Sequence, residues 1–394
     1  YKMFNLPLKD IKILDLSEGL SCALATKYFA DFGAKVVKIE KPSGDKTRKW
    51  APLKNGESLY FNYLNSGKQS ITLDIKTEYG INIFKRLVKK YDVICTSHET
   101  NYMENLGIDY ESLKKLKSDI IYASCTYFGD YGPLSSAPGS SIVAQARGVA
   151  MDMTGVENGY PVKCAPSVAE HYAAGYLYTG IMLALIDKIN RGIGQKVDIS
   201  ILDSIFSCIE AAPAAYSMTN EIHTRRGNFD PAAAPYDTYE TQDGYVAIGC
   251  STQSQWHKLC KALGFEDLEN DPRFAEQETR RAGYLDNLQP ILRERMIKFK
   301  KDYVQEACLE NGIPCSTVMN IKEISDLPDI KQYGFLFDAH DTVFGKISYP
   351  SNPFKLSDSE QKEWSHAPSL GENTSSVLME IGEFDDIDRD KQIG

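Results

Sequence analysis

The 394-residue chain has no apolar run approaching the roughly 20 residues that a membrane-spanning helix needs, so no membrane span is expected. Its nine cysteines are odd in number and never spaced as CxxC, which excludes a disulfide framework or a zinc site as the organising principle and fits reduced thiols in the cytoplasm. The six histidines have no ligand spacing, so no metal is expected. Basic residues are scattered within a net charge of −10, which argues against a nucleic-acid partner. There is no internal repeat or low-complexity tract. No secretory leader is expected ahead of Leu6, and Tyr1-Lys2 before Met3 reads as an artefact of expression.

What is present is an ordinary globular composition, 42% hydrophobic and 25% charged, in a chain long enough for two domains. IKILDL (11–16), KVVKIE (35–40), a segment from Ser70 to Leu73, YDVIC (91–95) and IIYASC (120–125) read as short buried strands. Segments of helical spacing at 22–32, 81–90 and 110–116 alternate with them. That alternation predicts an α/β domain on a parallel sheet. No GxGxxG joins the first strand to its helix, which weighs against a nicotinamide or flavin site.

FGDYGPLSSAPGS (128–140), with three glycines and two prolines, is expected to be a structured loop. Lys196–Ser200 reads as a further strand, and 202–218 as one internally packed helix. Residues 219–235 read as a linker, 236–325 as a small α+β domain opening on a hairpin (236–240 and 245–249), and 326–394 as a return to the large domain that began with 1–218. In the small domain 253–263, 288–298 and 302–311 are expected helices and 318–320 a strand. After it come a strand at 346–349 and a helix at 372–381.

The stretch from Pro161 to Lys188 places one carboxylate, Glu170, at the mouth of a small, apolar helix that is expected to be internal, with Leu177, Met182, Leu183 and Leu185 on its buried face. Ser167 three residues earlier suggests a capping box, so Glu170 is either a cap or a reactive group. His171 is expected to turn about 100° away from it. Lys41, Arg48, Lys68 and Lys76 gather near strand ends, where doubly wound sheets bind anions, or else are solvated surface charges.

Seven strings in order, VVKIEKPSGDKTR, NSGKQSITLDIK, LGIDYESL, FGDYGPLSSAPG followed by VAQARG, GQKVDISILDS, APYDTYETQDGYVAIG and QWHKLCKALGFEDLENDPRF, give a chain that resembles the family III CoA-transferases over nearly its whole length. That group contains the formyl-CoA:oxalate, carnitine, bile-acid and 2-hydroxyacid CoA-transferases. The resemblance implies a Rossmann-like large domain with a smaller inserted domain, in an interlocked homodimer. Its substrates would be an acyl-CoA and a small carboxylic acid, with no prosthetic group.

The family's nucleophile is an aspartate ten residues before a glycine, and counting back from Gly180 reaches Glu170. Lys41, Leu73 and Lys76 match positions that hold the nucleotide end of coenzyme A. Ser97, His98 and Asn105 fall in the segment that contacts CoA, with Asn105 in place of a frequent arginine. Ser141 stands where an acid is usual. These departures keep two alternatives open: a non-catalytic subunit of a heteromeric transferase of the benzylsuccinate type, and a CoA-binding protein without turnover. An α-methylacyl-CoA racemase, which shares the fold, would need a histidine where Ser140 stands.

Overall fold

A computed structural model describes residues 6–382, so Tyr1 and Lys2 lie outside the described residues. Six strands, β1 (Lys12–Asp15), β2 (Lys35–Glu40), β3 (Gln69–Thr72), β4 (Val93–Thr96), β5 (Ile121–Thr126) and β6 (Lys196–Ser200), form one all-parallel sheet. Their order is β3-β2-β1-β4-β5-β6. This is the doubly wound arrangement, in which the winding reverses between β1 and β4 and opens a crevice at the strands' carboxyl ends.

The sequence produces this sheet because consecutive strand residues point to opposite faces and both faces are mainly apolar. Ile13, Val36, Val93, Cys95, Ile121 and Ala123 face one core, shared with Phe29 of helix α1 (Ser21–Asp31). Leu14, Val37, Ile94 and Tyr122 face the other, filled by Ile83, Phe84 and Leu87 of the helix Glu78–Val88. At the sheet edge, Asn373 receives a hydrogen bond from Ser70 N at 3.0 Å and donates its own N–H to Ser70 O at 2.8 Å. The last helix among the described residues, Thr374–Met379, adds Val377 and Leu378 to the second core.

Two compact units divide the chain. One takes the described residues up to Asp152, Val162–His223 and those from Gln332 on, and the second takes Met153–Pro161 and Thr224–Lys331. The second holds an antiparallel sheet, β7 (Tyr236–Thr241), β8 (Gly244–Gly249) and β9 (Cys315–Thr317), with a core around the fully buried Trp256. The first also contains the antiparallel pair β10 (Leu336–Asp341) and β11 (Gly345–Pro350). No helix among the described residues is long and apolar enough to cross a membrane.

Three local expectations fail. The single helix over 202–218 is two, Ile201–Phe206 and Ala212–Thr219, parted by a 3-10 turn at Ser207–Ile209. Pro213 cannot donate to the preceding turn and its ring clashes with the carbonyl four residues back, so it can only open a new helix. No residue of that second helix is buried, contrary to internal packing. The strand expected at 318–320 lies at Cys315–Thr317, because Asn320 instead caps the helix Ile321–Asp326 in a capping box with Glu323.

Candidate active site

Glu170 sits on α3 (Val168–Arg191), the longest helix described. One face of α3 packs on α1 and the sheet through Ala169, Ala173, Ala174, Leu177, Ile181 and Leu185. Small residues allow that approach: a Cβ at Gly180 would lie 2.7 Å from Val197 of β6. The opposite face is open, with Tyr172, Tyr176, Leu183, Ile186 and Ile189 exposed, so α3 is half internal and Leu183 does not belong to its buried side.

The capping box does not form. Ser167 makes no side-chain cap bond, and its backbone at ψ 63° is not extended as capping geometry requires. The Glu170 carboxylate accepts a hydrogen bond on Oε2 from Ser141 Oγ at 2.9 Å. Ser141 opens α2 (Ser141–Arg147), which follows the glycine- and proline-rich loop. One turn on, Gln145 Nε2 donates to Ser141 Oγ at 3.3 Å, and Gln145 Oε1 accepts from the Cys164 N–H at 3.0 Å.

Glu170 is 7% exposed, and the opening to which it is exposed is a cavity of about 550 Å³. Segments that follow β1, β4, β5 and β6 line it: Glu18, Ser97 and His98, Tyr127 and Ile201. It therefore occupies the crevice at the carboxyl ends of the strands. Tyr60 and Tyr127 also line it, and their phenols are pushed up by burial and then by the Glu170 charge, Tyr60 to about 12.

A second cavity of about 260 Å³ is lined by Lys41, Leu73, Lys76, Ile39 and Tyr102, and it shares Glu18 and His98 with the first. Five of the expected CoA contacts thus gather along two adjoining cavities: Lys41, Leu73 and Lys76 at one, Ser97 at the other, and His98 at both. Asn105, the last residue of the helix Thr100–Asn105, is exposed and lines neither.

Between the cavities, Ser97 Oγ accepts from Glu18 N at 2.9 Å and donates to Glu18 O at 3.1 Å, while the Glu18 carboxylate holds Lys41 Nζ at 2.7 Å. That pairing raises the Lys41 ammonium above its ordinary value. Burial lowers His98 below the usual imidazole value, so its ring is neutral near pH 7 and stands 5.2 Å from Tyr102. Two other cavities of the same unit, about 480 and 270 Å³, contain none of these expected contacts.

Two of the four gathered cations are committed elsewhere. Lys68 is fully buried and bonded to Asp15 at 3.0 Å, and Arg48 forks onto Glu40 at 2.8 and 2.7 Å. Lys41 and Lys76 remain at the cavity wall. His171 is exposed, with Nδ1 2.8 Å from the Ser167 carbonyl oxygen, so it faces away from Glu170 as its 100° turn requires. No metal-binding cluster occurs among the described residues.

Sequence reasoning missed Glu18, Tyr60, Tyr127 and Gln145. Glu18 could have been found from its place just after the first strand of a doubly wound sheet. Gln145 lies inside the VAQARG string, four residues after Ser141, and that one-turn spacing was the signal that could have found it.

Residues 8–374 match the model of the CoA-transferase family III. The chain is 30% identical to the succinyl-CoA:glutarate CoA-transferase of Homo sapiens, over 96% of this chain and 87% of that protein. It is 31% identical to the acetyl-CoA:oxalate CoA-transferase of Acetobacter aceti, over 95% and 96%. A crystal structure of a CaiB/BaiF family protein from Brucella suis superposes with a TM-score of 0.86 at 31% identity, covering 96% of this chain and all of that one. The chain belongs to CoA-transferase family III.

Proposed function

We propose that this family III CoA-transferase moves coenzyme A from an acyl-CoA thioester to a small carboxylic acid, with Glu170 as the covalent nucleophile. The observation that carries the reading is the placement of that carboxylate: nearly buried, bonded through one oxygen, and open to a cavity that adjoins the Lys41–Lys76 cavity. The nucleotide end of CoA takes Lys41, Leu73 and Lys76. The pantetheine arm passes Ser97 and His98, and the thioester reaches Glu170. Asn105 is given no contact.

Glu170 attacks the thioester carbonyl carbon, the C–S bond breaks, and CoA thiolate leaves a mixed anhydride. The thiolate then attacks the Glu170 acyl carbon, releasing the donor acid and forming an enzyme thioester. The acceptor carboxylate attacks that thioester to give a second anhydride, and the thiolate attacks its acyl group. The new acyl-CoA departs and the free carboxylate returns.

No proton is consumed in the cycle, and exchange between carboxylates and a thioester is nearly isoenergetic, so no ATP is needed. The Val168 N–H is taken by the Pro166 carbonyl at 2.8 Å, so the Ala169 and Glu170 amides, which the Ser167 side chain leaves uncapped, are the first-turn donors for the oxyanions, and the helix dipole adds to them. Because CoA is a polyanion and its sulfur is a good leaving group, the protein's main task is to position it and keep water out.

The alternatives, a non-catalytic subunit or a binder without turnover, predict an unreactive carboxylate. The Ser141 bond that orients Glu170 toward open space favours the catalytic reading. Incubation with a panel of acyl-CoA donors, followed by hydroxylamine or borohydride and peptide mass spectrometry, is expected to modify Glu170. An active preparation that leaves Glu170 unmodified sinks the assignment. Native mass spectrometry of the same sample tests the interlocked homodimer against a heteromer.

A further inference from the structure

The hydrogen-bond chain behind Glu170 has a direction that its atoms dictate. The backbone N–H of Cys164 can only donate, so the Gln145 atom facing it at 3.0 Å must be the carbonyl oxygen. The amide nitrogen is therefore the atom turned toward Ser141 Oγ, at 3.3 Å, and it too can only donate. Ser141 Oγ accepts that bond, and its single hydrogen is left for Glu170 Oε2, 2.9 Å away.

Gln145 is 1% exposed, so bulk water does not compete for either end of its amide. The sequence Cys164 N–H to Gln145 to Ser141 to Glu170 thus runs one way, from a backbone donor in the segment ahead of α3, through α2, onto the reactive carboxylate. A serine hydroxyl alone would be free to rotate, to accept as well as donate, and to leave Glu170 in more than one rotamer.

We infer that Gln145 is a positioning residue: by fixing the hydrogen of Ser141 on Oε2, it holds the longer glutamate side chain so that Oε1 is the oxygen presented to the thioester. The one-way chain keeps a flexible three-torsion side chain in one attacking geometry, where a displacement of about 1 Å costs roughly a hundredfold in rate. Gln145 touches neither substrate nor Glu170, and acts through Ser141. The inference rests on the nucleophilic role proposed for Glu170.

Two variants and one cycle test it. Gln145→Leu is expected to lower kcat about tenfold, the worth of one buried hydrogen bond to a charged chain, with KM for the acyl-CoA unchanged. In a Ser141→Ala background the same change is expected to cost nothing further. Equal losses in both backgrounds, or no loss in either, overturn the inference.

Gln145→Glu keeps the shape but replaces the donor by a carboxylate that, once ionised, draws the Ser141 hydrogen away. Its kcat is expected to fall as pH rises through that ionisation, a limb missing from the parent profile, and a parent-like profile counts against the inference. Trapping in the unsubstituted protein separates the two layers. An adduct at Glu170 with unaltered Gln145→Leu kinetics removes only the positioning role, whereas no adduct in active protein removes the nucleophile and the positioning role with it.

Discussion

Asp15 and Glu170 are both carboxylates inside the same unit, at 0% and 7% exposure, and their surroundings give them opposite properties. Asp15 is saturated. It accepts from Lys68 Nζ at 3.0 Å, Thr26 Oγ1 at 2.7 Å, and both Ser17 Oγ and, at 3.0 Å, Ser17 N. Burial alone would raise its pKa, but Lys68 and then Lys38 outweigh burial and hold it well below the ordinary carboxylate range.

Nothing can approach Asp15, and its charge serves to let Lys68 exist in the core. Glu170 accepts one neutral donor from a side chain and faces a cavity. A buried acid is structural when its partners fill every lone pair, and available for chemistry when one oxygen is aimed and the other left open.

Exchanging the two acids for their amides separates these roles most sharply. Glu170→Gln is expected to abolish acyl-enzyme formation, with CoA exchange falling on the order of a thousandfold or more, while stability changes by under about 1 kcal/mol. Asp15→Asn leaves Lys68 buried with its counter-charge gone and is expected to cost about 3–5 kcal/mol in urea unfolding. If Glu170→Gln instead unfolds the protein with a full loss of stability, the carboxylate belongs with Asp15 as a structural group.

A smaller effect is expected from Glu170→Asp. Removing one methylene withdraws the oxygens by about 1.5 Å, beyond reach of Ser141, and is expected to lower kcat roughly a hundredfold. A gain of activity would mean that the site is shaped for aspartate and that the glutamate is a departure from catalysis.

The smallest effect concerns Tyr60, whose phenol burial and the Glu170 charge push up to about 12. Since the folded value lies above the ordinary value near 10, the neutral phenol contributes stability fully below pH 10, and that contribution is lost as pH rises through 12. Removing the charge in Glu170→Gln is expected to bring the Tyr60 transition modestly down in an ultraviolet titration, because burial, the larger cause, persists. An unmoved transition would place the carboxylate farther from Tyr60 than the structure has it.

Much of the architecture was legible along the chain. Short runs rich in apolar residues located all six parallel strands to within about two residues, because a strand buried on both faces is mostly apolar even where it carries a paired charge such as Asp15. Pro213 is equally visible in the sequence, and its ring is what divides the expected helix. The capping box misled for a different reason: Ser167 and Glu170 have the right spacing, but a hydrogen bond from Ser141, 29 residues away, competes for the same carboxylate. Lys68 shows the same limit. It looks like a strand-end cation and is a core residue, because Asp15, 53 positions earlier, is folded against it.

Local order along the chain thus determined the alternating strands and helices, the breaks between them and the single acid at the mouth of α3, since each depends on neighbours within a turn or a strand. Which acid is sealed and which is open, which lysines face a ligand, and that the Cys164 N–H fixes the Gln145 amide behind Ser141 were decided only when distant segments met. Electrostatics and hydrogen bonding act through space, and no spacing along the chain encodes which far partner arrives first.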